Sequence, residues 1–422
     1  MDLDMEQYDQ LYRLYKSVDT TTLRGYQEFV DLFPPLSSTV ALEQWETASD
    51  RLDALKSDIT AEFPGTGETY AEIAARLTRD EAFTALDLYS KYDRSVNVLV
   101  LDVDETLRSA GDTDNEIPRD TLYLLTQFHE AGVPIVVCTG QTLENVKGFM
   151  IQGLGNDLVS SGQMSIVYES GNGVFTPKHG QDTKRLLYER LDGAVVDVFE
   201  TVRRRVLSEA PDAVGKRCHL QGNEFNVTLK PNAEVGSDNA VEVIDESLCY
   251  LCGLVGDAIA AQVDAEVDDP AGYARAYFSR DPEILDVLEA GGLSTNADIA
   301  DAPEAFRDVL ERVDLGYYEG DAAELVSLEL DKSAGVEEAF DVLGIDDPFA
   351  LVMGDSKSDL RVMRWVDDND AGIAAAPAHS SPDVLDHVSS RDDLVYEAGD
   401  ASTVLRTIYG IGLVEQLDEQ GE

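Results

Sequence analysis

Two carboxylates spaced two residues apart, Asp102 and Asp104, follow directly on the apolar run Val96-Asn97-Val98-Leu99-Val100-Leu101. Such a pair is costly to bury unless a cation or a reaction uses it. Both can hold a hard divalent cation through oxygen. The plain alternative is a polar strand end at which one Asp caps the next turn. The run itself reads as a fully buried parallel strand, short and rich in Val and Leu. Ligands in open α/β sheets bind beyond the carboxyl ends of such strands.

Three further stretches repeat this layout. Val133-Pro134-Ile135-Val136-Val137-Cys138 reads as a second buried strand ending in Thr139-Gly140-Gln141-Thr142. A hydroxyl there can meet a phosphate together with backbone amides of the following helix start. Thr139 as a simple helix N-cap is the competing reading. Leu325 to Asp331 alternates as a strand and opens a helix at Lys332. A lysine at the positive end of a helix is disfavoured unless an anion lies opposite. Lys230, in Leu229-Lys230-Pro231, is the rival cation. Finally, Phe349-Ala350-Leu351-Val352-Met353 ends in Gly354-Asp355-Ser356-Lys357-Ser358-Asp359 and a helix. An N-capped helix in an acidic protein explains the carboxylates, but not the strand, the glycine and the spacing together.

In this order, Asp-x-Asp-x-Thr-Leu, the strand-tip Thr, the Lys and Gly-Asp-x-x-x-Asp resemble the four motifs of the haloacid dehalogenase (HAD) superfamily of phosphohydrolases. The resemblance covers about residues 95–410. It implies an α/β fold: a Rossmann-like parallel-sheet core, an inserted α+β cap of C2 type, and here an N-terminal helical extension. The cap position is similar to that of Cof-like and sucrose-phosphate phosphatase-like members. By the resemblance, Asp102 is the nucleophile and Asp104 the general acid and base, with Glu105 at a variable position. Lys332 neutralises charge, while Thr139 and Gly140 bind the phosphate. Mg²⁺ is held by Asp102, Asp355 and the Asp104 carbonyl, and Asp359 holds a metal-bound water or orients Lys332. The implied activity is Mg²⁺-dependent hydrolysis of a small phosphorylated metabolite, a sugar phosphate, through an aspartyl-phosphate. A phosphomutase and a non-catalytic binding or regulatory protein are the alternatives. Gln141 stands where many capped relatives have Arg, Ser333 where they have Gly, and Ser358 where they have Asn. Glu169-Ser170-Gly171-Asn172-Gly173 resembles an E-N-G turn with one residue inserted, and also reads as a simple hairpin turn.

The elements that must position these residues divide the chain into 1–92, 93–173, 174–325 and 326–422. The first span reads as helices, with Leu11, Leu14 and Tyr15, then Val40, Leu42, Trp45, Leu52 and Leu55, at helical spacing and breaks at Pro34-Pro35 and Pro64-Gly65. It packs on the core or on a second subunit, so a homo-oligomer is compatible with it. A polar loop, Ser109 to Glu116, precedes a helix from Pro118 to about Ala131. Leu158–Ser161 and Ile166–Glu169 are strand candidates. The span from about 174 to 325 is too long for a loop. It shows helical patterns at 182–208, 238–262 and 303–312 and strand runs at Phe225–Leu229 and Leu315–Tyr318. Strands at 372–377 and 394–396 and a helix over 401–417 close the chain, with loop and helix between 379 and 393.

Acidic residues outnumber basic ones 83 to 32, for a net charge of −51, and are spread along the whole chain. That charge argues against nucleic acid or an anionic membrane as partner. With 43% hydrophobic residues the chain can still build cores. The composition resembles cytoplasmic proteins of salt-accumulating archaea, a halophilic setting in which the Debye length shrinks to ~3 Å at 1 M salt. Four cysteines do not make a secreted disulfide framework, and Cys249-x-x-Cys252 reads as a pair of buried small hydrophobes rather than half a zinc site. The acidic N-terminus lacks a signal-peptide pattern and no apolar run reaches the ~20 residues of a membrane span. A cytoplasmic location is expected.

Overall fold

A computed structural model describes residues 2–33, 38–108, 116–293 and 297–421. The break expected at Pro34-Pro35 and nearly all of the expected loop at Ser109–Glu116 lie outside the described residues. The fold is α/β with two sheets. The larger has eight strands in the order β12-β11-β10-β1-β2-β3-β4-β5. These are β1 (Val98–Asp102), β2 (Ile135–Cys138), β3 (Met164–Tyr168), β4 (Gly173–Phe175), β5 (Lys184–Leu186), β10 (Ala350–Met353), β11 (Gly372–Pro377) and β12 (Leu394–Tyr396). The pairings from β12 across to β3 are all parallel, and β4 and β5 add an antiparallel edge. The smaller sheet is antiparallel, β6 (Cys218–Leu220), β7 (Val227–Pro231), β9 (Ala322–Ser327) and β8 (Val313–Tyr318), in the order β6-β7-β9-β8.

Continuous apolar runs explain the central strands. Every residue of β1, β2, β3 and β10 is buried, as a strand covered on both faces must be. From β1 the chain winds outward through β2 and β3, and later returns to β10 on the other side of β1. The winding direction therefore reverses between β1 and β10. Connections that diverge at such a point leave a crevice beyond the strand ends. Register brings the ends level: Leu101 pairs with Met353 and Asp102 with Cys138. Asp102, Thr139 and Asp355 consequently emerge on one edge.

Alternation shapes the second sheet. Val227, Leu229, Leu315, Ala323 and Leu325 face a core built with the helices Gly193–Arg205 and Ser237–Gln262, while Asn226, Thr228 and Glu324 fall on the other face. The five N-terminal helices, Asp2–Ser17 to Arg79–Tyr92, form their own core with the end of the Ala401–Gly421 helix through Leu413, Val414 and Leu417. The same helix reaches the main core through Val404, Leu405 and Ile408.

Several local expectations change. Leu158 and Val159 belong to a one-turn helix, Asn156–Val159, not a strand, because so short an apolar run does not distinguish the two. Helix does not extend over 182–208: it starts at Gly193, and Lys184–Leu186 is strand β5. Val40 and Leu42 are exposed, and the packed stripe of their helix runs through Ala48, Leu52 and Ile59. Pro118 sits one residue ahead of the Arg119–Glu130 helix. Helices Pro270–Phe278 and Pro282–Ala290 were not anticipated, although each follows a capping Asp with Pro in its first turn. No helix among the described residues is long and apolar enough to cross a membrane.

Candidate active site

At the β1 end, Asp102 is 6% exposed and its Oδ1 accepts a hydrogen bond from Lys332 Nζ at 2.7 Å. Lys332 also donates to Asp359 Oδ1 at 2.6 Å and is itself 4% exposed. Its placement depends on two glycines. The Lys332–Leu343 helix is capped by Asp331, whose side chain accepts from Ala334 N. Gly171 (φ +103°) lies so close to the Asp331 carbonyl that a Cβ there would stand 1.9 Å from its oxygen, and one at Gly335 would be 2.3 Å from Val167 Cγ1. Only hydrogen at both positions lets the helix start press against the end of β3. Ser333 donates to Asp331 Oδ1 at 2.6 Å. Lys332, not Lys230, contacts Asp102; Lys230 pairs with Asp321 at 3.1 Å.

Past β10, Gly354 again permits a close approach, since a Cβ would come within 2.3 Å of Asp359 Cβ. Asp359 closes a capping box: its Oδ2 accepts from Ser356 N at 3.1 Å and Ser356 Oγ at 2.6 Å. Both its oxygens are thus engaged, one by the helix start and one by Lys332.

Asp102, Asp355 and Asp359 offer oxygens that all lie within 4.8 Å of one another. Three carboxylates therefore face one ammonium. Burial raises the Asp102 pKa, Lys332 opposes this, and Asp359 adds to it. Burial and Asp359 push Asp355 up to about 6 against Lys332 and His379. Burial also works against the Lys332 ammonium, yet Asp102 and Asp359 outweigh it and raise its pKa. Surplus negative charge and an all-oxygen donor set fit a hard divalent cation. Among the described residues no donor meets Asp102 Oδ2, and Asp355 Oδ1 accepts from Thr106 Oγ1 at a long 3.5 Å, so these two carboxylates keep oxygen for a cation or an electrophile.

Asp104 lies apart from this cluster, with its side chain 42% exposed. Arg108 Nη2 and Nε donate to its Oδ1 at 2.6 and 3.0 Å, and Gln141 Nε2 donates to its Oδ2 at 2.6 Å. Glu105, next along, has φ +58° and faces His379 at 3.6 Å. Thr139 is buried and its Oγ1 accepts from Gln141 N at 3.0 Å. It does not cap the next helix, which runs Leu143–Leu154 with Thr142 at its N-cap. Gly140 follows beside Ser170. The Glu169–Gly173 turn joins this edge to the second sheet: the Glu169 carboxylate accepts from Glu224 N at 2.6 Å and Phe225 N at 3.1 Å, and Asn172 donates to Asn226 at 2.7 Å. Arg108 and His379 carried no sequence expectation, and Gln141 stood out in the sequence only as a replacement for Arg, not as a partner of Asp104. The i,i+4 spacing of Asp104 and Arg108 was a usable signal; the other two contacts arise only in the fold. Cys249 and Cys252 are free and belong to no metal-ligating group among the described residues, and burial pushes the Cys252 thiol up to about 12.

No family model matches the chain, and no curated protein does. Among solved structures it is similar to a HAD-superfamily phosphatase of Bacteroides thetaiotaomicron, at 17% identity and TM-score 0.42, covering 76% of this chain and 96% of that one. It is also similar to the trehalose-6-phosphate phosphatase of Aspergillus fumigatus (13%, TM-score 0.42, 79% and 97%) and to a Thermotoga maritima protein (16%, 0.42, 74% and 97%). At such identities and scores these likenesses carry no argument about function, which must rest on the site itself.

Proposed function

We propose that the chain is a HAD-type phosphoric monoester hydrolase that transfers a phosphoryl group to Asp102 and then to water. The observation that carries this is the buried Asp102–Lys332–Asp359 chain with Asp355 beside it at the β1/β10 crevice. Asp102 Oδ2 attacks phosphorus while Oδ1 stays on Lys332, which fixes the carboxylate and offsets charge on the transferring group. Asp104 gives a proton to the leaving oxygen, and as a carboxylate takes one from the water that cleaves the aspartyl-phosphate. Thr139 and the amide of Gly140 hold phosphate oxygens. Mg²⁺, held by Asp102, Asp355 and the main-chain carbonyl of Asp104, would supply the remaining positive charge. Asp359 acts through Lys332, which its contacts support over direct metal ligation.

The substrate in this reading is a small phosphorylated metabolite, a sugar phosphate. Support comes from the polar face of the second sheet, where Asn226 bonds to the turn beside Lys332 and Thr228 donates to Glu324 at 2.9 Å. Asn226 and Thr228 are buried with these bonds formed, so a polyol would meet this face by exchanging them for its own hydroxyls. The test is hydrolysis of a panel of phosphorylated sugars and an aryl phosphate with Mg²⁺. Molar KCl screens the surface charge that would otherwise repel an anionic ester. Turnover that requires Mg²⁺ and vanishes in Asp102→Asn is expected. Turnover retained in a contaminant-free Asp102→Asn preparation would refute the reading.

A further inference from the structure

We propose that Gln141 is a positioning residue that ties the Asp104 carboxylate to the phosphate-gripping loop; this rests on the hydrolase reading above. A group that moves protons to and from a reacting oxygen must be held to well under an ångström of its working place. Asp104 is poorly placed to hold itself, because its side chain is 42% exposed and it lies two residues beyond the end of β1, in the loop. Arg108 grips Oδ1 from four residues along the same turn, with its guanidinium 4.2 Å from the centre of the Phe149 ring. That contact fixes the carboxylate within its own loop.

Gln141 does something different. It belongs to the loop after β2, and its amide reaches across to Asp104 Oδ2 at 2.6 Å. Its main chain is anchored twice: Gln141 N donates to Thr139 Oγ1 at 3.0 Å, and Gln141 O accepts from Glu169 N at 3.0 Å. Thr139 is the proposed phosphate grip, and the Glu169 carboxylate holds two amides of the segment entering β7. One side chain thus references the proton-transfer group both to the phosphate and to the turn that docks the second sheet. The residue that the sequence presents as a lost cation is, in the fold, a hydrogen-bond donor to the acid–base carboxylate.

The reaction supplies the test. Cleaving an alkyl ester needs a proton from Asp104 on the leaving oxygen as the P–O bond breaks; a nitrophenolate leaves without one. The value of kcat/KM reports steps up to aspartyl-phosphate formation, so it isolates that proton. Gln141→Leu should lower kcat/KM for the best alkyl phosphate of the panel by ~10–100-fold, and for p-nitrophenyl phosphate by less than ~3-fold. Inhibition by inorganic phosphate should be unchanged. Gln141→Asn, whose amide falls short of Asp104, should give the same pattern and guards against a folding defect in the first variant. In an Asp104→Asn background, Gln141→Leu should cost nothing further on the alkyl ester. Equal losses on both esters, no loss on the alkyl ester, or an undiminished loss in the Asp104→Asn background would overturn the assignment while leaving the Asp102 chemistry standing. Absence of turnover by the wild type on every ester would overturn both.

Discussion

Replacing Lys332 with Met removes the ammonium that, among the described residues, faces the carboxylate cluster, and keeps the length of the side chain. Two hydrogen bonds are lost, 2.7 Å to Asp102 and 2.6 Å to Asp359, at a residue 4% exposed. Removing one partner of a buried ion pair costs ~3–5 kcal/mol because the other charge stays behind. Here two carboxylates stay behind, but burial already raises the Asp102 pKa, so a proton can partly replace the ammonium. The net expectation is a loss of ~2–4 kcal/mol near pH 8 without metal. A proton-binding group raised in the folded state stabilises at low pH and loses that effect as pH rises. The penalty should therefore shrink as pH is lowered. Denaturant unfolding in molar KCl with EDTA measures it. Asp359→Asn in the Lys332→Met background removes one of the orphaned charges and should recover ~1–2 kcal/mol relative to additivity. A Lys332→Met protein as stable as the wild type near pH 8, or strictly additive substitutions, would refute this account of the cluster.

Gly171→Ala places a Cβ on the Asp331 carbonyl in a left-handed backbone conformation, so melting should show a loss above ~2 kcal/mol, and turnover should fall ~10-fold or more as the Lys332 helix start is displaced. Mg²⁺ competes with protons for Asp355, whose pKa lies near 6, so the rise in melting temperature on adding Mg²⁺ in place of EDTA should grow between about pH 5 and about pH 7; a shift independent of pH would contradict that ligand assignment. Lys230→Ala removes an exposed pair with Asp321 and should change stability by less than ~0.5 kcal/mol and leave aryl phosphate turnover intact, as steady-state kinetics will show.

The parts of the site carried by buried strands were legible because their sequence signal is local. Val98–Asp102 and Ala350–Met353 are apolar runs cut off by carboxylates. Lys332 does open a helix, but the strand read over Leu325 to Asp331 ends at Ser327 and belongs to the smaller sheet, because alternation alone does not say which sheet a strand joins. What was not legible depends on contacts across the fold. Nothing local to Gln141 announces that its amide meets Asp104, 37 residues away. Nothing near Gly171 shows that Asp331 will press against it. The helices at Pro270 and Pro282 are a different failure: both Asp-Pro starts were present, and Ile284, Val287 and Leu288 of the second stand at i, i+3 and i+4, so a local signal existed and went unread. In Leu158–Ser161 two apolar residues, Leu158 and Val159, fitted both a strand and a turn of helix, and they fall in the helix Asn156–Val159.

In the proposed reaction phosphorus becomes bonded to Asp102. Acid quench during turnover of the best ester, followed by peptide mass mapping, reads this directly, with Asp104→Asn used to slow hydrolysis of the phosphoenzyme. A phosphoryl group is expected on the peptide containing Asp102, labile to hydroxylamine and absent from Asp102→Asn. Phosphate on another residue, or none in a preparation shown to turn over, would contradict it.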